Sequence, residues 1–133
     1  MGSSVLDASA VLAYLRDEEG AERVTEAIGA GAVMSAANWA EVLSKVADLG
    51  EDPGVLEARL ISEGLIGYAL EIVPLEPRDA AAIAHLRPLT RAAGLSLGDR
   101  ACLALAARLG LPALTADRAW RGLEVGADVE PIR

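Results

Sequence analysis

At 133 residues with a net charge of −8, the chain has room for one domain (1–133) and one core, and it lacks the overall basic balance usual for a nucleic-acid binder. Hydrophobic residues make up 53% of it, yet it has two Trp, two Tyr and no Phe, so Ala, Val, Leu and Ile must build the core. No apolar run reaches the roughly 18–20 residues of a membrane span, and the start lacks the basic and long apolar segments of a signal peptide. The cytoplasm is therefore the expected location. A mean hydropathy of +0.32 is high for so short a chain and predicts a subunit interface. The charge is lopsided: residues 1–66 hold twelve acids against four basic residues, whereas residues 67–133 balance eight with eight.

In chain order, residues 3–7 (SSVLD) read as a short strand that runs straight into a helix over 8–16. A second helix covers 19–30 and is punctuated by Gly29 and Gly31, and residues 32–35 (AVMS) form a second strand. An amphipathic helix over 38–49 presents Trp39, Val42, Leu43, Val46 and Leu49 on one face. After the loop 50–54, Pro53 starts a helix to about residue 65. Residues 70–75 (LEIVPL) are a third strand, and a helix runs from Pro77 to about residue 93. GLSLG at 94–98 is a tight connection to a helix over 99–109, with Gly110 at its end. Residues 111–115 (LPALT) are a fourth strand, 117–123 a short helical turn and 128–132 a fifth strand candidate. Short apolar strands alternating with longer helices predict an α/β domain with a buried parallel sheet, whose functional groups gather at the carboxyl ends of the strands.

Four acids fit that expectation, each with an ordinary alternative. Asp7 ends the first strand and is equally suited to cap the helix that follows, with Ser9 within reach of its carboxylate. Glu41 lies opposite the apolar face of its helix, where pairing with Lys45, the only lysine, would be worth about 0.3–0.5 kcal/mol. Asp99 aligns with Cys102, Leu103 and Ala106 on the apolar side of its helix, so it must be capped, paired or metal-bound. Asp117 follows the fourth strand and can cap the turn after it. Capping does not explain why several acids converge on one sheet end without lysines. A divalent cation does, because hard oxygen ligands suit Mg²⁺ or Mn²⁺. Zinc sites and Ser-His-Asp or Cys-His chemistry lack partners, with one His (His85) and one Cys (Cys102), and no phosphate-binding glycine motif is present.

Four segments, VLDASAVLAYL (5–15), MSAANWAEVLSKV (34–46), LSLGDRACLALA (95–106) and LTADRAW (114–120), resemble in order the motif blocks of PIN-domain proteins, specifically the VapC toxins of toxin–antitoxin pairs. The resemblance implies a PIN-like domain with a central parallel sheet of four to five short strands flanked by helices. It places the family's acids on Asp7, Glu41, Asp99 and Asp117 and its supporting hydroxyls on Ser9 and Thr115. It further implies Mg²⁺ or Mn²⁺ dependence, endonucleolytic cutting of RNA, homodimers and inhibition by a cognate antitoxin. Arg100, Arg118 and Arg121, beside the acids in sequence, are the expected phosphate contacts. The competing readings are a receiver-like, Asp-phosphorylated signalling module and a non-catalytic RNA-binding PIN module. The first needs a late lysine that the chain lacks, and the second the loss of an acid.

Overall fold

The computed structural model describes residues 2–133. Five parallel strands, β1 (Val5–Leu6), β2 (Ala32–Ser35), β3 (Leu70–Val73), β4 (Ala113–Thr115) and β5 (Val129–Pro131), form one sheet in the order β3-β2-β1-β4-β5. β1 is central and only two residues long, with Val5 in register with Val33 on one side and Ala113 on the other. The chain supplies six helices, α1 (Ala8–Leu15), α2 (Ala21–Gly29), α3 (Ala36–Asp48), α4 (Pro53–Ser62), α5 (Pro77–Thr90) and α6 (Leu97–Leu109), and a 3-10 turn at Arg118–Trp120. This is the predicted class, an α/β fold with a parallel sheet flanked by helices.

Strand alternation sends neighbouring residues to opposite faces, and the core divides accordingly. Leu6, Met34 and Leu114 pack under Val11, Val24, Trp39, Val42, Leu56 and Leu60 of α1–α4. Val5, Val33 and Ala113 pack under Ile83 and Leu86 of α5 and residues 101–106 of α6, with Trp120 fully buried among them. Two helix pairs thus return the chain from β1 to β2 and from β2 to β3 on one face, while α5 and α6 return it from β3 to β4 on the other. The connections leaving β1 toward β2 and leaving β4 toward β5 run to opposite sides, and the carboxyl ends of two such strands are the position at which parallel α/β sheets bind ligands.

Element boundaries differ from the sequence reading where capping chemistry decides them. α3 begins at Ala36, not at Asn38, because the Ser35 hydroxyl accepts from the Ala37 amide at 3.2 Å. α6 begins at Leu97, not at Asp99, because Ser96 and Asp99 form a reciprocal capping box that places Gly98 inside the helix. Gly20, at φ +93°, is needed as glycine before α2, since a Cβ there would stand 2.7 Å from the Ile132 carbonyl oxygen. Among the described residues no helix is long and apolar enough to cross a membrane.

Candidate active site

β1 ends one residue before Asp7, whose carboxylate caps α1 by accepting from the Ala10 amide at 2.8 Å. The same carboxylate accepts from the Thr115 hydroxyl at 2.6 Å and from the Ser9 hydroxyl, which lies 2.7 and 2.9 Å from its two oxygens. Ser9 and Thr115 in turn accept from the amides of Ala116 (2.9 Å) and Asp117 (3.0 Å). These hydroxyls therefore lock the start of α1 to the loop after β4 and fix the Asp7 carboxylate between them. The cap expected of Asp7 is made, and it leaves the carboxylate at the carboxyl end of β1.

Burial is the dominant influence on Asp7. It pushes the carboxyl up to about 6 from an ordinary 3.8, against the lowering effect of Thr115, Ala10 and Ser9, and nearby Asp99 adds to the rise. Glu41, on α3, is also raised, first by burial and then by Asp99, while its hydrogen bond from Asn38 opposes the rise. Asp99, half-buried in the first turn of α6, is thus the acid that both others feel. Beneath the three lies the fully buried thiol of Cys102, pushed up by burial and then by Asp7, Asp99 and Glu41. The three acids come from three separate elements, β1–α1, α3 and α6, and meet at the carboxyl end of the sheet.

Asp117 stands apart at the exposed lip of this cluster. Its carboxylate accepts from the Ala119 amide at 2.9 Å to cap the 3-10 turn, and it is joined to Asp7 through the Thr115 hydroxyl that its own amide meets. Among the described residues none of the four acids forms an ion pair with Lys or Arg, and the Glu41–Lys45 pair is not made. The donor set is carboxylate oxygen without a resident counter-charge, the donor chemistry that a hard divalent ion takes. Among the described residues no three His, Cys, Asp or Glu side chains stand close enough together to hold a metal ion as placed.

The arginines divide. Arg100 is turned onto α5, donating from Nη1 to the Ile83 carbonyl at 3.1 Å, and Arg118 donates from Nε to the Arg133 carbonyl at 3.1 Å. Arg121 is exposed. Two residues the sequence reading missed belong to the site. Asn38 donates from Nδ2 to both Glu41 Oε1 (2.8 Å) and the Gly98 carbonyl (2.9 Å), and Gly98 lies directly under the Glu41 carboxylate. An Asn three residues before a Glu on a helix is a usable signal for the first contact, but nothing local announces the second.

The PIN domain family model matches residues 4–125. No curated protein matches the chain at the sequence level. Among solved structures, it resembles a toxin–antitoxin complex from Klebsiella pneumoniae (18% identity, 98% of each chain covered, TM-score 0.72). It likewise resembles DNA-bound VapBC from Salmonella typhimurium (20% identity, 100% of each chain, TM-score 0.71) and FitAcB from Neisseria gonorrhoeae (26% identity, 95% of each chain, TM-score 0.69). With the acids gathered at the carboxyl end of a parallel sheet and a family model spanning nearly all of the sequence, the chain belongs to the PIN-domain family.

Proposed function

We propose that the protein is a Mg²⁺- or Mn²⁺-dependent endoribonuclease, the toxin half of a toxin–antitoxin pair. The observation that carries this reading is the meeting of Asp7, Glu41 and Asp99 at the carboxyl end of the sheet with no ion pair to Lys or Arg among the described residues. Like charges so placed are costly unless a ligand compensates them. The donors are hard oxygens, which suit such an ion. When bound, such an ion supplies Lewis acidity, which activates water and offsets charge on a phosphodiester and its leaving 3′-oxygen.

The chain's own residues supply position. Asp7 is immobilised by three donors, Asp99 is fixed in the first helical turn by its bond from the Ser96 amide at 2.9 Å, and Glu41 is held from beside by Asn38. Asp117, exposed at the lip, keeps one carboxylate oxygen on the Ala119 amide and has the other for an ion or substrate. Arg121, and Arg118 through its remaining guanidinium nitrogens, are available to phosphates, whereas Arg100 is already engaged with Ile83. Products would carry 5′-phosphate and 3′-hydroxyl ends.

The toxin role draws on the neighbours' own descriptions as toxin–antitoxin complexes. A cognate antitoxin would inhibit by placing an Arg or Lys among the uncompensated acids. Large apolar side chains left in solvent, including Val55, Tyr68, Leu89 and Leu97, support a homodimer or a partner-covered surface. The cytoplasm is the compartment this activity requires.

The test is cleavage of a mixed-sequence RNA by the purified protein with Mg²⁺, with EDTA and as the Asp99→Asn variant. Cleavage is expected only in the first case. Cutting that persists unchanged in EDTA or in the variant overturns the proposal.

A further inference from the structure

Glu41 is the acid least constrained by its own backbone. It lies mid-helix, caps nothing and is exposed on the α3 surface. Two features of neighbouring residues nonetheless define its place. Asn38, one turn earlier on α3, is only 1% exposed, and both of its amide protons are used, one on Glu41 Oε1 at 2.8 Å and one on the Gly98 carbonyl at 2.9 Å. These two acceptors fix the amide orientation, because a flipped amide would point its oxygen at two other oxygens. The arrangement leaves Asn38 Oδ1 buried without a hydrogen-bond partner, which is unfavourable.

Gly98 forms the other jaw. It lies in the first turn of α6, where glycine is less favourable to the helix than alanine. A Cβ on it would fall 2.6 Å from Glu41 Cδ and 2.9 Å from Oε2, so a side chain at 98 would displace the Glu41 carboxylate from this position. The Glu41 carboxylate therefore occupies the space that a side chain at 98 would fill, directly against the residue preceding Asp99.

We infer that Asn38 and Gly98 form a clamp that seats the Glu41 carboxylate beside Asp99, making Asn38 a positioning residue for the acid site. Asn38 pulls the carboxylate toward α6 and ties α3 to α6 through the Gly98 carbonyl. Gly98 leaves the room in which the carboxylate sits. This inference rests on the reading of the acids as a divalent-ion site.

The experiment measures the dissociation constant for Mn²⁺ alone, by electron paramagnetic resonance of the free ion, for wild type, Asn38→Ala, Gly98→Ala and the double variant. Near-UV circular dichroism verifies the fold of each. Loss of a residue that orients a ligand typically weakens metal affinity 10–100-fold, so each single variant is expected to bind about tenfold more weakly. Gly98→Ala favours the helix and keeps the test valid should Asn38→Ala fail to fold. Because both changes act through one displaced carboxylate, the double variant is expected to lose about tenfold as well, whereas independent effects would multiply to about a hundredfold. Folded single variants that bind Mn²⁺ as wild type does, or losses that multiply, overturn the clamp while leaving the metal site standing. Wild type that does not bind Mn²⁺ overturns both.

Discussion

Replacing Asp7 with Asn separates what the site costs the fold from what it does for function. The Asp7 carboxyl is raised to about 6 in the folded chain from an ordinary 3.8, chiefly by burial. A group whose folded value is raised contributes stability that is fully present below the unfolded value and lost as pH rises through the folded one. Without a divalent ion, the wild type should therefore lose stability between pH 3.8 and about 6, and ionised Asp7 should cost about 3 kcal/mol above that window. Asn mimics the protonated acid: its oxygen can keep the Ala10 amide, and its amide can face Thr115 once that hydroxyl turns. Urea unfolding in EDTA at pH 7.5 should show Asp7→Asn more stable by about 3 kcal/mol, and at pH 4 the gain should nearly vanish. Comparing the two proteins at each pH cancels the titration of the other acids. Millimolar Mn²⁺ at pH 7.5 should then stabilise wild type and not the variant, because only an intact site gains the binding free energy. A variant less stable than wild type at pH 7.5, or a gain independent of pH, refutes the reasoning.

Thr115→Val removes the 2.6 Å donor to Asp7 and the acceptor for the Asp117 amide. It should destabilise the fold by about 1–3 kcal/mol at pH 7.5, and carboxyl-carbon NMR should show Asp7 titrating still higher; an unmoved titration would count against the network. Gly20→Ala should cost at least 1 kcal/mol in urea unfolding, since it combines a left-handed backbone with a Cβ 2.7 Å from the Ile132 carbonyl oxygen. Asp99→Asn should relieve both of its neighbours, lowering the titration of Asp7 and Glu41 while abolishing cleavage.

The sequence carries the parts of this site that are set locally. A two-residue strand running directly into a helix puts Asp7 at a strand end and at a helix cap together, so either argument finds it. Asp117 is visible for the same reason at the end of β4. Asp99 is found by helical spacing, although the helix begins two residues earlier than expected: Gly98 resembles a breaker until the Ser96–Asp99 capping box is seen. Glu41 is different. Its surroundings on α3 match the predicted exposed face, and what draws it into the site is the approach of α6 across the sheet end, a contact between residues 60 positions apart in the Asn38–Gly98 bond. Such a contact follows from the order in which strands assemble and leaves no periodic trace. Only the resemblance to PIN-domain motifs places Glu41 from sequence.

The capping roles of these acids and the metal-binding role we propose for them do not compete. Asp7 and Asp117 cap the elements that follow β1 and β4, and Asp99 closes the capping box of α6. Capping fixes a carboxylate at a helix start, and the parallel sheet brings these starts to one edge. The fold therefore positions three acids with interactions it needs anyway, and part of the cost of their mutual repulsion is offset by the amides they accept from. Glu41 has no such cap, and the arrangement beside it looks correspondingly expensive: an unpartnered Asn38 oxygen and a glycine inside a helix. If capping is what holds the other acids, a loss of Asn38 should disturb Glu41 alone and leave the Asp7 titration unchanged, a distinction that carboxyl-carbon NMR of Asn38→Ala reads directly.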